Sequence, residues 1–180
     1  MDNSSGRRKL GTVAAIQRKE RPVITEHEAA VDALLRKPFP ETAYGRRAAF
    51  GGADHHVVRL SASPEFWEDR SEDVVGPARE AIEGEHDLLA QALSARWGPA
   101  ESVSLLPPAH DDAVTEFFGN WTGEMLAWSC PEFGRWVGLA VVQADPELPF
   151  ELFVAVSNGP HPPGDAAPRA EGQPTGAAGP

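Results

Sequence analysis

Three apolar segments, 124–130, 134–143 and 149–157, constrain this chain most, because so little sequence separates them: Pro131-Glu132-Phe133-Gly134 and then Ala144-Asp145-Pro146-Glu147-Leu148. Connections this short can join antiparallel neighbours, whereas a parallel pair needs a crossover of a dozen or more residues. The segments therefore predict an antiparallel β-meander over about 124–157. Side chains alternate between the faces of a strand. One face would carry Leu126 and Trp128, then Val137, Leu139 and Val141, then Phe150, Leu152, Val154 and Val156. The other would carry Met125, Ala127 and Ser129, then Trp136, Gly138, Ala140 and Val142, then Glu151, Phe153, Ala155 and Ser157. Both faces are too apolar to meet water, where antiparallel sheets normally turn polar side chains outward.

A cover for the first face is legible upstream. Ala78, Ile82, Leu89, Leu93 and Trp97 recur at helical spacing, and Gly98-Pro99 follows, which predicts a long helix over about 77–97 opening on Pro77. Thr25 and Glu28 have capping-box spacing before an apolar run that ends ahead of Pro38, which predicts a helix over about 26–36. Short strands are expected at 55–62 and 103–106, a helical turn at Ser63-Pro64-Glu65 and another over 113–118 closed by Gly119. Helices followed by consecutive strands imply an α+β fold of two layers. The cover of the second face is open at this level: the N-terminal helices, or a second molecule.

The chain's ends differ from its middle. Residues 1–24 read as a basic arm and 25–158 as one α+β domain; Gly159 to Pro180 hold six Pro and five Gly, with no Leu, Ile, Val or aromatic side chain to offset ordering entropy, and are expected to be disordered. Residues 1–50 carry a net charge of +4 and 51–180 one of −15, a basic arm on an acidic body. No apolar stretch follows the basic N-terminal residues and no run approaches a bilayer-spanning length, so a cytoplasmic protein without a membrane segment is expected. The single Cys excludes an internal disulfide, and three Lys against 13 Arg, with abundant Ala, Gly and Pro, suit a GC-rich bacterial genome.

Candidate chemistry is sparse. Asp54, His55 and His56 offer metal-ligand types, but adjacent strand residues point to opposite faces, so the two histidines cannot readily share an ion. His86 falls beside the apolar stripe of the long helix with Glu83 one turn before it, and Glu85 and Asp87 nearby, a weak general-base or ligand arrangement. Cys130, at a strand end before Pro131, has no helix N-terminus or cation in sequence to activate it and reads as a buried thiol. Neither a Gly-x-Ser-x-Gly elbow nor a phosphate loop occurs, so no cofactor is expected. The only cation between 101 and 158 is Arg135, which argues against nucleic acid on the sheet.

A non-catalytic protein-binding module is the expectation that follows: an adaptor, inhibitor or immunity-like protein. Its acidic surface would steer a basic partner, with Trp136, Phe153, Met125 and Val142 as interface anchors toward that partner or a second copy. Two alternatives stand beside it: a small hydrolase or transferase using His86 and nearby carboxylates, and a regulator whose basic arm touches nucleic acid.

Overall fold

The computed structural model describes residues 23–46, 48–106, 112–162 and 164. They form an α+β fold with helix α1 (23–36), strands β1 (Tyr44–Arg46), β2 (Ala49–Gly52) and β3 (His55–Ala62), helix α2 (Glu72–Trp97), strand β4 (Glu101–Ser104) and helix α3 (Ala113–Gly119). Strands β5 (Glu124–Cys130), β6 (Arg135–Val142) and β7 (Glu151–Ser157) follow, with a 3-10 turn, Pro131–Phe133, between the first two. Among the described residues no helix is long and apolar enough to cross a membrane.

The predicted meander is the centre of something larger. All seven strands make one antiparallel sheet in the order β1-β2-β3-β7-β6-β5-β4. β3 pairs along β7 from His55↔Ser157 to Ala62↔Glu151, with a bulge between Arg59 and Ser61. The alternation holds: Trp128, Val137, Leu139, Phe150, Leu152, Val154 and Val156 are buried together with Ile82, Leu89 and Leu93 of α2. Each Å² of apolar surface that this layer removes from water contributes about 25 cal/mol to the fold.

Several local expectations shift. The helix around 26–36 is already formed at 23, so Thr25 lies inside it and the Thr25–Glu28 pattern is no capping box. α2 begins at Glu72 after Ser71, five residues before Pro77, which sits inside the helix and lacks the N–H for one backbone bond. Ser63 to Phe66 are not helical. The Ser63 N–H donates to the Phe150 carbonyl (2.9 Å) and its Oγ accepts from the Phe150 N–H (3.0 Å), extending the chain along the sheet instead. β4 lies two residues earlier than expected, and the β1–β2 hairpin was not anticipated; its Tyr44-Gly45-Arg46 strand is exposed throughout.

The second face is covered from within the chain, by an element other than the N-terminal helix. α1 shares the first face with α2, through Val31, Leu34 and Leu35. Over the second face lies α3, with Val114 and Phe118 buried against Val57, Met125, Ala127, Phe153 and Ala155. Asp112 fixes its start, its carboxylate accepting from the Val114 and Thr115 N–H groups, both at 3.0 Å. Residues 159–162 and 164, at the head of the segment expected to be unstructured, are also described; Pro162 is buried and the His161 ring lies edge-on to Trp136, centroids 6.1 Å apart. Residues 1–22 and 165–180, most of the two expected tails, lie outside the described residues.

Candidate functional site

Trp136, Phe153, Met125 and Val142, the anchors expected of an interface, are 2%, 1%, 1% and 3% exposed. They belong to the intramolecular core of the second face, which removes them as surface anchors in the isolated chain. Burial also changes the histidines. His55 is buried at the β3 entrance, 2.7 Å from the Asp54 carboxylate, and so is His56, on the opposite face. The His56 Nε2–H donates to the Pro38 carbonyl (3.1 Å), which makes Nδ1 the acceptor for the Tyr44 hydroxyl (3.2 Å). Burial, with Lys37 and Arg135 close by, lowers the His56 pKa and keeps the ring neutral. Arg135 lies over the Phe39 ring at 4.0 Å and donates to the Leu34 and Lys37 carbonyls at the end of α1. These groups pin the α1–β1 connection to the sheet. Among the described residues no cluster of three or more His, Cys, Asp or Glu could hold a metal ion.

Cys130 is fully buried, and its thiol is pushed up to about 12, first by burial and then by Glu132. A thiol held in its protonated form is no nucleophile. His86 is half-buried, with Nδ1 3.1 Å from the Asp87 carboxylate rather than paired with Glu83. The histidine sealed into the helix–helix seam is instead His27, which donates to Glu85 across the α1–α2 contact at 3.1 Å. Its i, i+4, i+7 spacing with Val31 and Leu34 could have shown it in sequence.

His86 does reach a cleft. β5 and β6 pair from Cys130↔Arg135 up to Leu126↔Leu139; past that rung Met125 and Glu124 pair only with β4, and Ala140 to Val142 only with β7. A cleft of about 250 Å³ lies at this fork, with His86, Glu83, Thr122 and Glu124 at its polar side. Glu124 already accepts from Ser102 Oγ at 2.7 Å.

The most conspicuous surface lies at the other end of α2. Trp67 is 63% exposed, in a segment where Glu65, Glu68, Asp69, Glu72 and Asp73 are exposed as well. Its neighbour explains how it is held out. Phe66 is 2% exposed, packs on the Phe150 ring (5.8 Å) and donates its N–H to the Glu147 carbonyl (2.8 Å). Trp67 then donates its indole N–H to Glu65 (2.8 Å), and Arg70, the one cation of the stretch, is paired with Glu147. Glu72 and Asp73 occupy the first turn of α2, where the helix dipole favours carboxylates. No such structural role accounts for an indole left in water. The sequence places Trp67 only in a brief helical turn after Ser63-Pro64-Glu65, which says nothing of its exposure.

Comparison with known proteins adds nothing to the geometry: no family model matches the chain, nor does any curated protein or solved structure.

Proposed function

We propose that the chain is a non-catalytic protein-binding module, with the acidic surface around Trp67 as its docking site for a basic partner. The observation that carries this reading is Trp67 itself, exposed on a backbone that Phe66 anchors, in a segment with five exposed carboxylates and one paired Arg. An aromatic side chain held in place before binding loses little conformational freedom on docking, and such residues dominate interface energetics. The surrounding negative charge speeds encounter with a cationic surface and rejects an acidic one. Self-association through this patch would set carboxylate against carboxylate, so a second copy of a chain with net charge −11 is the poorer occupant.

The test begins with tagged protein in its native lysate, where partners retained by wild type and lost by Trp67→Ala are identified. Affinity for the identified protein is then measured with purified components. Trp67→Ala should weaken binding by about 2 kcal/mol or more, with the melting temperature unchanged. Charge-neutral Glu68→Gln/Asp69→Asn should mainly slow association and flatten its salt dependence. Equal retention of every partner by wild type and Trp67→Ala would defeat the proposal.

One observation favours a second reading. The fork between β5 and β6 gives His86 a cleft shared with Glu83, Glu124 and Thr122, the convergence that a small hydrolase or transferase would need. Turnover of an ester or phosphoester panel that disappears in His86→Ala would establish it.

A further inference from the structure

The seam between α1 and α2 runs on past the start of α1. His27 meets Glu85 at 3.1 Å and Asp32 meets Arg96 at 2.6 Å, so the two helices point the same way. Their last turns reach the same 3-10 turn, Arg36 over the Phe133 ring and the Trp97 N–H donating to Glu132. α1 starts at 23, one turn before His27, which puts its first residue level with Ala81, one turn before Glu85. α2 continues beyond that level to Glu72, about 14 Å further at 1.5 Å per residue. Val74, Ala78, Ala81 and Glu85 stand at i, i+4, i+7 and i+11, one face of a helix. The seam side of α2 therefore extends through Ala78 to Val74, where α1 no longer covers it: Val74 is 42% exposed, Ala81 is exposed and Ala78 half-buried. Asp73 and Glu80 flank this face on its solvent side, both exposed. Neither has an ion pair among the described residues, whereas Glu72 is paired with Arg79.

We propose that this face is the docking site of the chain's own basic segment, Arg18-Lys19-Glu20-Arg21-Pro22, laid along α2 as a strap that prolongs the seam. Continuity is the first support: the segment leads straight into α1 and so enters at the open end of the α1–α2 contact. Reach is the second. Pro22 disfavours helical backbone at Arg21, and an extended chain at about 3.3 Å per residue needs about four residues to match the uncovered length of helix. Charge is the third. Residues 1–22 hold six cations against two carboxylates, while residues 51–180 carry a net −15. The alkyl stems of Arg18, Lys19 and Arg21 lie on Val74, Ala78 and Ala81, and their charged heads reach Asp73 and Glu80. A second copy offers the same arm, but it brings another acidic body with it and pays the entropy of association.

The experiment uses the full chain with a nitroxide on Gln17→Cys; Cys130 is buried and takes no label. Paramagnetic broadening of the Val74 and Ala81 amide resonances reports the strap. Reversing the arm with Arg18→Glu, Lys19→Glu and Arg21→Glu should lower the docked-to-free ratio about threefold or more, as the loss of a few exposed ion pairs does. Salt at about 1 M, where the screening length is short, should do the same to the native arm. Adding Asp73→Lys and Glu80→Lys to the reversed arm should restore the broadening, a rescue that mere damage to the helix would not give. Equal broadening in the native, reversed and doubly reversed chains is what tethering alone produces, and it overturns the proposal. Broadening in isotope-labelled chain mixed with separate spin-labelled chain also overturns it, by showing that another copy's arm fills the face. Neither Trp67 nor an outside partner enters these readouts.

Discussion

The two faces of the sheet are equally buried and differently built. On the first, α1 and α2 lay Leu, Ile and Val side chains over Val137, Leu139, Leu152, Val154 and Val156. On the second, a seven-residue helix covers a floor of small residues, Ala127, Gly138, Ala140 and Ala155, and the space between is filled by Met125, Trp136, Phe118 and Phe153. Aliphatic ridges on a long helix close over a sheet with few voids. A short helix over small residues presents fewer side chains to the sheet, and Trp136 meets the His161 ring instead, centroids 6.1 Å apart. The first face is thus closed by two helices and the second by one short helix.

That contrast can be broken at its strongest point first. Leu93 is 1% exposed on α2's buried face, and Leu93→Ala should cost about 2–5 kcal/mol through lost burial and the cavity left behind. Urea denaturation measures it, and a loss under about 1 kcal/mol would mean that the first face repacks as a loose core does. On the second face the informative change adds atoms. A methyl at Gly138 would come 2.7 Å from the Met125 sulfur and 3.1 Å from a Trp136 ring carbon, both side chains that lie across the glycine. Gly138→Ala should cost about 1–3 kcal/mol by overpacking. Made in a Met125→Ala background, it should cost markedly less, since the two changes share one space. Strict additivity would show that the second face holds no such shared space.

These particulars also show what could be read from sequence. Period-two alternation in 124–157 assigned each side chain to its face, and the recurrence from Ala78 to Trp97 found its cover, because both patterns run long enough for burial to dictate them. α3 was legible only as a turn, since Val114, Phe117 and Phe118 are too few to state which face they meet. The place of β3 beside β7 depends on pairing His55 to Ala62 with residues some ninety positions away, and nothing local encodes that register. β1 and β2 escaped notice because Tyr44 to Gly52 is rich in Gly, Ala and Arg. Trp136 and Phe153 were assigned to the right face and given the wrong role: an apolar pattern reports that a face is covered, not by what. Trp67, the residue proposed for docking, lacks periodicity altogether, and only the burial of Phe66 beside it makes its exposure meaningful.

A histidine sharpens the contrast through pH. His56, beneath the α1–β1 connection, has both nitrogens bonded, and burial lowers its pKa from 6.5. The folded form therefore releases its proton more readily than the unfolded chain. Above the unfolded value both states are neutral and the group costs nothing. As pH falls below 6.5 the unfolded state takes up the proton first, and stability declines until the depressed folded pKa is passed. Urea midpoints taken across this range should fall in wild type and fall less in His56→Gln. Parallel curves would show that other groups govern the acid response.

The smallest effect gives the most direct comparison, because the two faces each bury one tryptophan to 2% exposure: Trp128 on β5 and Trp136 on β6. The Trp128 N–H donates to Ser94 Oγ of α2 at 3.1 Å, whereas the Trp136 N–H has no partner among the described residues. Replacing either by Phe removes a similar volume, so the cavity terms should nearly cancel between them. What remains is the hydrogen bond. Trp128→Phe breaks one and leaves the Ser94 hydroxyl to find another partner; Trp136→Phe breaks none and relieves an unmatched donor. Trp128→Phe should therefore be the more destabilising by about 1 kcal/mol. In a Ser94→Ala background the cost of Trp128→Phe should shrink by about 0.5–1.5 kcal/mol while that of Trp136→Phe is unchanged. If the two substitutions cost the same in both backgrounds, the Trp136 donor is already satisfied when the protein is in solution.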